Sequence, residues 1–226
     1  MTVVFLHAFP FDPRMWDRQR ELAPDAEAPL LYDLGETMDD WAAAILDRYP
    51  GPLTLVGASM GGYTAYHVAR LAPERVRGLL TEGARAQPDA PAGRERRDAL
   101  IRLVREQGLE ALWDALRPQA FSELAADAVL AAARAWTLEQ EPDHVVRALA
   151  AMRDRLDSTD VPRLLDPHPL VVLGELDALA RPADFTDVVL PEHVLIVREA
   201  GHLPSLERPD RFDPILQEFL ERTAAP

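Results

Sequence analysis

At 226 residues the chain can bury one substantial core, and 48% hydrophobic with 27% charged residues is ordinary globular usage, which excludes a disordered or fibrous protein. A formal net charge of −14, with no basic stripe to offset it, argues against a nucleic-acid partner. There is no cysteine for thiolate, disulfide or iron–sulfur chemistry, and all 24 basic side chains are arginine, so Schiff bases, Walker lysines and Ser–Lys dyads are excluded as well.

The chain opens on a short apolar run, Val3–Leu6, with neither the positive segment nor the long apolar stretch of a secretory leader. No apolar run approaches the roughly 18–20 residues that span a bilayer, so a cytoplasmic location without a membrane partner is expected. Further brief apolar runs, bounded by Gly or Pro, predict strands at Pro29–Tyr32, Leu53–Val56, Gly78–Thr81, Leu170–Leu173 and Val194–Val197. Between and after them, Asp39–Arg48, Met60–Leu71 and Pro209–Arg222 carry apolar residues at helical spacing. From about Arg85 to His168 the strand signal gives way to four helical stretches, Arg94–Gln107, Leu109–Leu116, Ser122–Leu138 and Asp143–Leu156. The expected fold is therefore α/β, a mostly parallel sheet of about six strands flanked by helices. Residues 1–84 and 169–226 would form the core, and residues 85–168 a helical cap, or lid, inserted between strands.

His7-Ala8-Phe9-Pro10 follows the first strand, where a loop can present a backbone N–H to a reacting group. His7 itself is read as a brace for that loop or a substrate contact. Gly57-Ala58-Ser59-Met60-Gly61 follows the strand at Leu53–Val56 and opens a helix, the strand–turn–helix context of a nucleophile elbow. The bare pentapeptide is a weak signal; its context strengthens it. A serine hydroxyl needs a base within hydrogen-bond reach and a third group to orient that base. Asp177 stands just past the strand at Leu170–Leu173, and His202 in a glycine-containing loop past the last strand. Both positions belong to the carboxyl edge of an open parallel sheet, and the order Ser59, Asp177, His202 is that of one family of such triads. Glu82 also follows a strand and stands as an alternative acid. The N–H groups of Phe9 and Met60 are the expected oxyanion donors, worth roughly 3–4 kcal/mol each.

Phe9, Met60, Trp113, Phe121 and Trp136 are candidates to line an apolar acyl pocket, with core packing an equal reading for the tryptophans. The Arg94, Arg96 and Arg97 cluster reads as a solvated helix face. No G-x-G-x-x-G, P-loop, H-E-x-x-H or metal-ligand spacing occurs, so neither cofactor nor metal is expected.

Taken together, His7-Ala8-Phe9-Pro10, Gly57-Ala58-Ser59-Met60-Gly61-Gly62, Gly174-Glu175-Leu176-Asp177 and Gly201-His202 with Glu207-Arg208-Pro209 resemble α/β-hydrolases of the esterase, enol-lactonase and cofactor-free haloperoxidase branch. The resemblance spans nearly the whole chain. It implies a serine hydrolase acting on a small-molecule ester or lactone, and it leaves perhydrolysis, carbon–carbon bond hydrolysis and a non-catalytic binding role open. The family's dehalogenases and epoxide hydrolases carry Asp at the nucleophile position, where this chain has Ser59. Two departures stand out: Ala8 replaces the usual glycine after the histidine, and the chain starts almost on the His-loop strand, which implies a sheet about two strands shorter than usual. The oligomeric state is not encoded in any motif.

Overall fold

The computed structural model of the chain describes residues 1–224. Five strands, β1 (Thr2–Leu6), β2 (Leu53–Ala58), β3 (Val76–Glu82), β4 (Leu170–Gly174) and β5 (Val194–Val197), form one sheet in that spatial order. Every pairing is parallel. Successive side chains point to opposite faces, so β1 sends Val4 and Leu6 into one apolar cluster and Phe5 into the other. β2 is buried along its whole length, as a central strand covered on both faces must be. Because the strands run the same way, all five end at one edge.

The helices are α1 (Asp17–Arg20), α2 (Met38–Arg48), α3 (Met60–Leu71), α4 (Pro91–Ala120), α5 (Asp127–Leu138), α6 (Pro142–Arg153), α7 (Pro204–Glu207) and α8 (Pro209–Ala224). α2 begins at a capping box: Asp40 donates its N–H to the Thr37 hydroxyl at 3.1 Å, and the Asp40 carboxylate accepts the Thr37 N–H at 2.9 Å. No strand lies between β3 and β4 among the described residues; that stretch is helical. No helix of the described residues is long and apolar enough to cross a membrane.

The expected strand at Pro29–Tyr32 does not form. Pro29 has no N–H for a ladder, and only Glu27 makes a bridge to β1, exchanging two backbone hydrogen bonds of 2.8 and 2.9 Å with Phe5 and Val3. The apolar run behind it buries Leu31 and Tyr32 through a 3₁₀ turn, Leu31–Asp33, so the sheet has five strands instead of six. The helical stretches also differ in extent. Arg94–Gln107 and Leu109–Leu116 are two arms of α4, joined at Gly108, whose φ of 81° breaks the helical path. Ser122 stays outside α5, and its hydroxyl instead accepts the Leu124 N–H at 3.2 Å.

Candidate active site

Ser59 occupies the sharp turn from β2 into α3 with φ 47° and ψ −109°, a conformation costing on the order of 1–3 kcal/mol for a side-chain-bearing residue. The surroundings hold it there: Ser59 donates its N–H to the Glu82 carbonyl at 2.7 Å, and its own carbonyl accepts the Tyr63 N–H at 3.0 Å. The turn also needs its glycines. A Cβ on Gly61 would lie 2.0 Å from the Leu6 carbonyl oxygen, and one on Gly57 would lie 2.5 Å from the Gly61 oxygen. The steric role read from the motif therefore has a partner in β1.

Asp177 lies in the turn after β4, where its Oδ1 accepts the N–H groups of Leu179 at 2.7 Å and Ala180 at 3.0 Å. Its Oδ2 is 2.9 Å from Nδ1 of His202, and Nε2 of His202 is 3.0 Å from Oγ of Ser59. With Oδ1 occupied by two backbone donors, Oδ2 is the oxygen that accepts the Nδ1 proton. That leaves the Nε2 lone pair facing the Ser59 hydroxyl. Asp177 and His202 are 8% and 4% exposed, so water competes little for these bonds.

Glu82, the alternative acid, makes no bond to His202. It accepts the Ser205 N–H at 2.6 Å and the Ser205 hydroxyl at 2.8 Å, and full burial pushes its pKa up to about 8 against those two bonds. Next to it, Gly83 has φ 61°, and a Cβ there would come within 2.6 Å of the His202 ring.

Neither the Phe9 nor the Met60 N–H donates to an acceptor among the described residues. Met60 is the first residue of α3, so its amide also lies at the positive end of the helix dipole. The neighbouring loop is fixed: Ala8 is buried and donates its N–H to the Met15 sulfur at 3.0 Å, and its carbonyl accepts the Phe11 N–H at 3.0 Å. His7 braces it as well. Its Nδ1 lies 3.1 Å from the Ala8 carbonyl, Nε2 accepts the Leu31 N–H at 3.0 Å, and burial lowers its pKa to about 4.

Ser59 and His202 open onto a cavity of about 160 Å³. Phe9, Trp113 and Phe121 line it as expected, together with Phe11, Leu100 and Leu179. Three expected lining residues do not. The Met60 side chain is in the core, His7 is buried behind the loop, and Trp136 packs edge-on against Phe11 with ring centroids 6.0 Å apart.

The arginine cluster divides. Arg94 pairs outward with Asp154 and Arg96 is exposed, as a solvated face implies, but Arg96 also borders the cavity and half-buried Arg97 lines it. Glu207, quoted only as part of a motif, ties the helical segment to the histidine loop. Its Oε1 accepts the Gly201 N–H at 2.9 Å, and its Oε2 accepts the Ser122 N–H at 3.0 Å and the Ser122 hydroxyl at 2.6 Å. His202 itself donates its N–H to the Ala120 carbonyl at 3.2 Å. Glu207 stands two residues before Pro209, and nothing in the sequence points to Ser122 as its partner. No group of three or more metal-ligating residues converges among the described residues.

Comparisons with known proteins agree with this architecture. The family model described as "Alpha/beta hydrolase family" matches residues 3–214. A thermophilic esterase from Thermogutta terrifontis, solved with malate bound, is 30% identical with a TM-score of 0.89, covering 100% of this chain and 91% of that one. A Bacillus subtilis (strain 168) protein with the provisional name 2-succinyl-6-hydroxy-2,4-cyclohexadiene-1-carboxylate synthase is 26% identical over 97% of this chain and 90% of its own length. The enol-lactonase from Burkholderia xenovorans LB400 shares the fold, with a TM-score of 0.78 at 21% identity over 97% of this chain and 91% of that one.

Proposed function

The chain belongs to the alpha/beta hydrolase family, and from that premise we propose that it is a serine hydrolase cleaving a small carboxylic ester or lactone through an acyl-enzyme on Ser59. The observation that carries this reading is the unbroken series Ser59 Oγ, His202 Nε2 at 3.0 Å, His202 Nδ1 and Asp177 Oδ2 at 2.9 Å, beside a cavity at the carboxyl edge of the sheet. Ser59 attacks the carbonyl as Nε2 takes its proton, and the imidazolium so formed is stabilised by Asp177. The negative oxygen of the tetrahedral intermediate rests on the free N–H groups of Phe9 and Met60. His202 then gives its proton to the leaving oxygen. Water enters, loses a proton to Nε2, and releases the acid from Ser59.

In this reading α4, α5 and α6 form the lid over the site, with Leu100 and Trp113 of α4 and Phe121 just after it in its apolar wall. No step calls for a metal or a cofactor. Turnover of p-nitrophenyl acetate and of a simple lactone, followed for wild type and Ser59→Ala, tests the proposal. Activity of wild type with loss in the variant is expected; equal rates for the two would refute Ser59 as nucleophile.

A further inference from the structure

Four arginines, Arg85, Arg96, Arg97 and Arg117, line the cavity that holds Ser59 and His202, and the one carboxylate among its lining residues is Asp89. That is a local excess of positive charge in a chain whose formal net charge is −14. Asp89 does not cancel it. It is 8% exposed, bonds Arg97 Nε at 3.1 Å and Arg155 Nη1 at 2.7 Å, and is held below the usual carboxylate range against its burial by those two arginines. Arg85, Arg96 and Arg117 make no hydrogen bond or ion pair with any side chain among the described residues. Elsewhere in the chain Arg94, Arg134 and Arg208 each pair with a carboxylate.

Resting on the hydrolase reading above, we propose that the substrate carries a carboxylate in addition to the bond that is cleaved, and that Arg85 and Arg96 receive it. Arg85, half-buried, stands just past the end of β3 at the same sheet edge as Ser59, and Arg96, on the first arm of α4 and exposed, borders the same cavity. A planar guanidinium fork matches a carboxylate in two parallel bonds, and a site partly shielded from water strengthens them. Charge acts over roughly 8 Å at physiological salt, and with Asp89 the one carboxylate among the lining residues, the arginines set the sign of the charge on the cavity wall. The aromatic wall and small volume of the cavity suit a compact acyl chain between the two carbonyl groups. The class is a half-ester of a short dicarboxylic acid, or a lactone bearing a carboxylate.

The test compares monomethyl adipate with methyl hexanoate, esters of similar length with and without the terminal charge, and a matched ester ending in phosphate. The readout is the ratio of kcat/KM values measured on one and the same enzyme. Wild type should favour the carboxylate ester over the neutral one by about tenfold or more, an advantage that shrinks with added salt. In Arg85→Gln/Arg96→Gln the ratio should approach one, while Arg102→Gln, which removes a charge from the exposed side of α4, should leave it as in wild type. Equal rates on the two carboxylic esters in wild type, or an unchanged ratio in the double variant, would overturn the inference while leaving the hydrolase reading intact. Preference for the phosphate ester over the carboxylate would overturn the assignment of the charged group. Absence of turnover on every ester would take down the hydrolase reading and this inference with it.

Discussion

The two walls of the cavity are built on different principles. On the sheet side, Ser59, Asp177, His202 and the amides of Phe9 and Met60 come from strand ends or the turns just after them, and backbone hydrogen bonds and glycine contacts fix their positions. On the helical side, Leu100, Trp113 and Phe121 reach the cavity as side chains from α4 and the turn after it, joined to the histidine loop through Ala120, Ser122 and Glu207. The residues of the proposed chemistry thus sit on rigid scaffold, and the apolar wall facing them on a segment whose side chains can change without disturbing a strand. Substitutions in the two walls should accordingly fail in different ways.

The largest effect is expected at Asp177. Asp177→Asn keeps the shape but offers His202 the wrong hydrogen-bond polarity, and kcat should fall by roughly 10³–10⁴ with little change in KM. Steady-state kinetics on any turned-over ester will show this. A loss of less than about tenfold would remove Asp177 from the orienting role.

Glu82 belongs to the same wall but should govern stability. Its pKa, about 8 in the folded chain against 4.5 for an unburied glutamate, means the folded state holds the proton more tightly. Stability from this group is present below about 4.5 and is lost as pH rises through about 8. His7, whose folded pKa is near 4, acts in the opposite sense below 6.5, so the clean window lies between about 6.5 and 8. Across it wild type should lose about 2 kcal/mol relative to Glu82→Gln, measured by denaturant unfolding at several pH values. Parallel curves for the two proteins would show Glu82 already ionised.

Smaller effects are expected where the walls meet and on the helical side. Glu207→Gln keeps the volume but weakens the charge-assisted bonds to Gly201 and Ser122, and should lower kcat/KM by about tenfold through looser placement of His202. Phe121→Ala should raise KM severalfold, whereas Trp136→Phe, outside the cavity, should change it less than about twofold. A larger KM effect at Trp136 than at Phe121 would reverse the assignment of the wall.

The sheet wall was largely legible in the sequence because its constraints are local. A glycine-flanked serine between an apolar strand and a helix, and an acid and a histidine each just past a strand, announce their positions by spacing. The exception, Pro29–Tyr32, has the composition of a strand, but Leu31 spends its N–H on His7 and the run is buried by turning inward. On the helical wall Trp113 and Phe121, expected at the pocket, do line the cavity, whereas Trp136 does not. An amphipathic pattern fixes which face of a helix is buried and not which residue meets the cavity, so Trp136 was expected there and Leu100 was not, while on the sheet side Phe11 and Leu179 went unnoticed. Arg85 and the cavity-bordering position of Arg96 carry no signal in the sequence, because an arginine at a cavity rim and one on an open face look alike until the opposite wall is known.

The central claim is that Ser59 is activated by His202. Intact-mass and peptide-mapping analysis after brief treatment with a fluorophosphonate probe tests it most directly, because the probe reports serine reactivity without requiring the natural substrate. Wild type should take up one adduct on Ser59, and folded His202→Ala should react at least about a hundredfold more slowly. Labelling of His202→Ala at the wild-type rate, or an unlabelled Ser59 in folded wild type, would contradict the account.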